Sequence, residues 1–499
     1  MLSRCCAAAL VLLAVQAALS QADVHAARRY AALINEQGLK ADLTVLASDG
    51  YLGRETGKEG QRLAAAYLRK RFSGLGIRPL GDSLPGLVDG YYQRFDLVEE
   101  QGGTLRLRCG RRQLASGKGL AFGSQSASGT SHFRSLRPWD AAPGPPSAVR
   151  NGEAVLIRLP QLGSASTQLA RVRPELERLR MLGAKLVLVQ VPDSVFELVQ
   201  ASMQARSGRM SLVDGEATGA APASGIQALF VTMESVKRLL GAARAQRLEA
   251  GAAIPCRLKL ESDRNRRPLS SDNVLAFIPG SDLADEVVLI TAHYDHLGVH
   301  DGVVHNGADD DGSGTVALLA LAEVFMAARN DGTGPRRSIL IMPVSGEEKG
   351  LLGSRYYSDH PVIPLERTVA DLNIDMIGRT DSAHQGSAPY VYVIGSDRLS
   401  SALHAANERA NAEVGLELDY TFNAPDDPNR FYYRSDHYNF ARKGVPSIFY
   451  FSGVHEDYHG PGDDTEKIRF DLLLKRTQLV FHTAWILANA PERPAVDKP

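Results

Sequence analysis

Residues 286–293 read EVVLITAH, a nearly unbroken aliphatic run that ends on a histidine. A strand this apolar along its length is buried on both faces, the mark of a parallel sheet covered by helices rather than a sheet with one wet face. The same form recurs in RSILIMPVS (337–345), TVADLNIDMI (368–377), YVYVIG (390–395) and VPSIFYFS (445–452), and the helical pattern SGTVALLALAEVFMAAR (313–329) lies between the first two runs. This alternation predicts an α/β fold, a mostly parallel twisted sheet with helices on both faces.

Working outward, residues 23–113 and 256–490 form one predicted domain. Its N-terminal part carries helical patterns in AARRYAALINEQ and EGQRLAAAYLRKRFSGLG, joined by LASDGYLGRETGKEG, which reads as a charged, Gly-rich surface loop. Between 114 and 255 the composition turns rich in Ser, Gly, Pro and Ala around GEAVLIRL, ARVRPELERLRMLG and AKLVLVQV, a β-α-β order that predicts a smaller β-rich inserted domain. Residues 491–499 read as a flexible C-terminal tail. The first 22 residues, MLSRCCAAALVLLAVQAALSQA, have an Arg, a short apolar core and small residues before the end, the pattern of a cleaved secretory signal ending near Ala22. A secreted or periplasmic location is expected. The apolar stretch is shorter than the roughly 20 residues of a spanning helix, so no stable membrane anchor is expected after cleavage. Cys109 and Cys256 then remain, either as a disulfide or as two buried thiols.

The formal net charge of −1 gives no overall field for nucleic acid or anionic membranes. Chemistry instead gathers where the strands end, the edge at which such sheets bind ligands. There lie His293 in HYDH, the triple Asp of NGADDDGSG (306–314), Glu347 and Glu348 in SGEEKG, Asp375 in NIDMIG and His459 in DYHGPGDDT. Imidazole with carboxylate suits zinc, and more carboxylates than one tetrahedral ion needs point to two ions sharing a bridge.

HYDH, NGADDDGSG, SGEEKGLLGS, NIDMIG, RSDHYNF and DYHGPGDDT, in that order, resemble the co-catalytic zinc aminopeptidases of peptidase family M28, and LASDGYLGRETGKEGQRLAAAYL resembles the N-terminal part of bacterial members. The insert resembles a protease-associated domain by position. The resemblance implies a zinc-exopeptidase-like fold with two zinc ions per chain: His293 and Asp375 on one, Glu348 and His459 on the other, and Asp310 bridging. His455 is the rival to His459. The resemblance also implies a cis bond after the bridging Asp. It gives Glu347 the role of general base in an attack by metal-bound hydroxide, and Tyr432, with Tyr433 as competitor, that of oxyanion stabiliser. Asp295 is expected to accept a hydrogen bond from the far nitrogen of His293, and either Asp463 or Asp464 to support the site. The expected activity is release of N-terminal residues from peptides or small proteins. A carboxypeptidase or dipeptidase, and an inactive binding protein on the same fold, are the alternatives.

Overall fold

The computed structural model describes residues 23–82, 90–122, 128–139, 149–150, 152–158, 164–204, 208–213 and 226–498; the signal-like segment 1–22 lies outside the described residues. The chain divides into a unit of residues 1–96 and 270–499 and a second unit of residues 97–269. The second unit is wider than the stretch 114–255 marked by composition. The reason is that Tyr92–Cys109 pairs antiparallel with Arg112–Ser116, and Ile254–Val274 with Gly129–Trp139, so the strands flanking the Ser/Gly-rich stretch belong largely to the insert's own sheet.

That sheet has nine strands among the described residues. Glu153–Arg158, the helix Ala165–Met181 and Leu186–Gln190 form the expected β-α-β segment, its two strands pairing in parallel. Cys109 and Cys256 are buried free thiols in one core cluster of this unit, and burial together with the neighbouring Cys109 pushes the Cys256 thiol up to about 12.

The first unit is built on a sheet of eight strands among the described residues. Leu283–His293 lies at its centre, parallel to Arg337–Val344 on one side and to Thr368–Ile374 on the other, and Ser447–Phe451 continues the parallel set. Antiparallel pairs close in on both sides, Ala276–Ile278 on Arg337–Val344 and Tyr390–Ile394 on Ser447–Phe451, so the sheet is parallel at its centre and mixed overall.

Alternation along the central strand explains how both faces are covered. Val288, Ile290 and Ala292 join the core beneath the helices Gly314–Asn330 and Phe470–Asn489, while Val287 and Leu289 pack in a second cluster with Tyr357 and Phe440 from Leu352–Asp359 and His437–Ala441. With no polar face, such strands come to rest only between two helical layers.

The described part of the tail makes hydrogen bonds to the body of the first unit. Arg493 donates to the carbonyls of Glu366 and Thr368, and the Asp497 carboxylate accepts the Ser401 N–H.

Candidate metal centre

Three parallel strands deliver the candidate residues to one edge. Leu283–His293 ends on His293, Arg337–Val344 is followed by Glu347 and Glu348, and Thr368–Ile374 by Asp375. The triple Asp opens the helix Gly314–Asn330, and His459 arrives on the loop after Ser447–Phe451. His293 Nε2 lies 3.3 Å from Asp310 Oδ1 and 3.6 Å from Asp375 Oδ1. On the other side of the same carboxylate, His459 Nε2 is 3.3 Å from Asp310 Oδ2 and 3.3 Å from Glu348 Oε2. Asp310 thus offers one oxygen to each group, the disposition of a bridge.

The donors fit cations. His293 Nε2, Asp310 Oδ2 and Glu348 Oε1 are buried without a hydrogen-bond partner, which is costly unless something else satisfies them. Burial works to raise the Asp310 pKa, but His293 and His459 outweigh it and hold the carboxyl well below its ordinary range. Mixed imidazole and carboxylate donors are the set expected of zinc.

The three aspartates divide the work. Asp311 accepts the N–H groups of His293, Gly314 and Met376, fastening the strand end, the helix start and the Asp375 loop together. Asp309 accepts the Gly378 N–H, and its other oxygen is 3.3 Å from His455 Nε2, so His455 stands behind Asp309 and is not the rival ligand. The Asp310–Asp311 peptide is cis. Of the two candidates for support, Asp463 is the one beneath the turn, accepting the N–H groups of Asp309 and Asp310; Asp464 accepts from the Asn306 side chain instead.

Two expectations need correction. His293 Nδ1 lies 3.0 Å from the main-chain carbonyl of Asp295 and 3.8 Å from its carboxylate, so the carbonyl fixes the tautomer. The Asp295 carboxylate serves Thr56 Oγ1 and the Glu347 N–H instead, steadying the loop that carries Glu347. Tyr432 is not among the residues lining the centre: its ring lies against Arg398, Tyr438 and His437. A small pocket opens at the centre, and the phenol lining it beside Glu347, Asp310 and Asp375 is Tyr458. Burial, with the surrounding carboxylates, pushes the Tyr458 pKa up, so it remains a proton donor. Spacing in YYRSDH could not show which loop folds over the site. Adjacency to His459 was the available cue.

Glu347 lines that pocket, its Oε2 4.0 Å from His293 Nε2. Burial first, opposed by His293 and reinforced by the carboxylates of Glu348, Asp375 and Asp436, raises its pKa well above the ordinary value, the direction that makes a carboxylate a better proton acceptor. Asp375 is oriented by Ser435, whose hydroxyl donates to Asp375 Oδ2 at 2.6 Å.

The loop read as surface is in fact the floor of the site. Arg54, 1% exposed, donates to the carbonyls of Leu46, Tyr294, Asn306 and Gly307. It also places a positive charge near Asp310, Asp311, Asp295 and Asp463.

A family model matches residues 273–484, the stretch that holds every one of these donors. The match is to peptidase family M28. Among curated relatives, a "Probable zinc metalloprotease" of Pyrenophora tritici-repentis is 27% identical over 268 residues, 46% of this chain and 53% of that protein. "Aminopeptidase YwaD" of Bacillus subtilis is 27% identical over 277 residues, 54% of each chain. The chain thus spans about half the length of the curated relatives it matches. A solved aminopeptidase from Aneurinibacillus sp. strain AM-1 aligns over 95% of this chain and 98% of its own, with TM-score 0.49 and 18% identity.

Proposed function

We propose that this chain is a two-zinc exopeptidase, an aminopeptidase releasing N-terminal residues from peptides. The observation that carries this reading is the shared carboxylate: Asp310 stands between the His293–Asp375 pair and the Glu348–His459 pair. Zinc bound there would lower the pKa of a water molecule and polarise the substrate carbonyl.

The chain's own residues account for the remaining steps. Glu347, facing the pocket with a raised pKa, takes the proton of the attacking water on its carboxylate and returns it to the leaving amine. Tyr458 donates its hydroxyl proton in a hydrogen bond to the carbonyl oxygen as negative charge develops there. Of the pocket lining, Met376, Phe431, Phe449 and Phe451 suit an apolar side chain, and the carboxylates of Glu347 and Asp375 suit a free amino group.

Arg434, on the rim of the same pocket, supports the second reading, a carboxypeptidase or dipeptidase that pairs this guanidinium with a substrate carboxylate. Export to a secreted or periplasmic site belongs to the same proposal and rests on residues 1–22.

The test is mass spectrometry of one peptide set with free and with acetylated N-termini, offered to the zinc-loaded protein with and without chelator. Chelator-sensitive stepwise loss from free N-termini alone is the expected result. Loss from the C-terminus, indifferent to acetylation, would move the same site to the carboxypeptidase reading. No cleavage at all would leave a binding protein on this fold.

A further inference from the structure

The five donors implied by the family pattern leave out a sixth. His296 closes the HYDH motif, three residues after His293, and is fully buried. Its Nδ1 lies 2.9 Å from Glu348 Oε1 and 3.8 Å from Asp310 Oδ2. Donor atoms about 2.0 to 2.2 Å from one zinc ion lie within roughly 4 Å of one another, so both separations fit shared ligation. Despite the 2.9 Å separation, Nδ1 and Oε1 are both buried without a geometrically satisfactory hydrogen bond.

The ring is also held in place. The main-chain N–H of His296 donates to the Arg54 carbonyl, fixing the backbone that carries the ring. On the other side, Gly307 has φ +56°, and a Cβ there would lie 2.4 Å from His296 Cγ, so only a glycine leaves room for the imidazole. A buried, immobilised imidazole between two carboxylates, with its near nitrogen unsatisfied, has the features of a ligand rather than of a packing residue.

We propose that His296 is a direct ligand, through Nδ1, of the ion held by Asp310, Glu348 and His459, giving that site two imidazoles where the His293–Asp375 site has one. The assignment rests on the two-metal reading above, and it would make the two sites unequal in donor set.

X-ray absorption at the zinc edge on the wild-type chain loaded with two ions counts the imidazoles directly. The expected spectrum requires three imidazoles shared by two ions, falling to two in His296→Gln and His296→Ala. Competition with a chromophoric chelator should show one of the two sites weakened by about 100-fold or more in these variants, beyond what loss of an outer hydrogen-bond partner usually costs. Two bound ions with only two imidazoles in the wild type would overturn the assignment, whether or not either variant folds. A wild-type chain that takes up fewer than two ions would instead overturn the two-metal reading, and this assignment with it.

Discussion

The Asp463 carboxylate accepts the main-chain N–H groups of both Asp309 and Asp310 at 3.0 Å, so the bridging carboxylate is aimed by a residue about 150 positions away that touches neither metal group. Asp463→Ala removes that cradle while leaving every donor in place. We expect affinity for both ions to fall together, by about 10- to 100-fold, as for other outer-sphere partners. Equilibrium dialysis against zinc reads the outcome; loss of one ion only would mean that Asp310 does not bridge.

Glu347→Gln keeps the shape of a side chain that lies outside both donor groups. Zinc content should stay at the wild-type level while turnover drops by about 10²- to 10⁴-fold, the usual worth of a general base. Substantial residual activity would show that another group takes the proton.

Tyr458 and Tyr432 are opposed by the structure. Tyr458→Phe should lower kcat by about 10²-fold or more with little change in KM, since a lost oxyanion donor is felt in the transition state. Tyr432→Phe should stay within a few-fold of wild type, because the Tyr432 ring packs among Arg398, His437 and Tyr438 outside the pocket. The reverse pattern would restore Tyr432 to the catalytic role.

His437 gives the fold an acid limit independent of metal. Burial pushes its pKa down to about 3, and its ring stacks on Phe449. It therefore stays neutral in the folded chain at pH values where the unfolded chain, with a pKa of about 6.5, takes up a proton. Its contribution is complete above pH 6.5 and is lost as pH falls from there toward 3, at a limiting rate of about 1.4 kcal/mol per unit. Urea unfolding of chelator-treated protein at pH 7.5 and pH 5 should show the His437→Phe variant losing less stability between the two values than wild type. An equal loss in both would remove His437 from the account.

What could be read in the sequence was whatever depends on short-range pattern. The aliphatic runs ending in His293, Glu347–Glu348 and Asp375 announce parallel strands and place those residues at one edge, because a strand buried on both faces can hardly be anything else. Arg54 was illegible for the opposite reason. Its partners are four main-chain carbonyls, some contributed by residues around 300 that carry no mark in their side chains, so a charged, Gly-rich loop looks like surface. The placements of Tyr458 and of the Asp295 carboxylate share this cause: which atom of a residue faces the centre is set by loop closure, not by spacing. Composition registers the loops of the insert but not the strands that flank them, which is why the compact unit 97–269 extends beyond 114–255.

The exposures of the two histidines have a kinetic consequence. The His293 side chain is 1% exposed and sits at a strand end, whereas that of His459 is 42% exposed on a loop. Solvent and chelators therefore meet the His459 side of the centre first. The two ions have separate doors, and exchange through them should be biphasic, with chelators reaching the ion beside His459 before the ion beside His293.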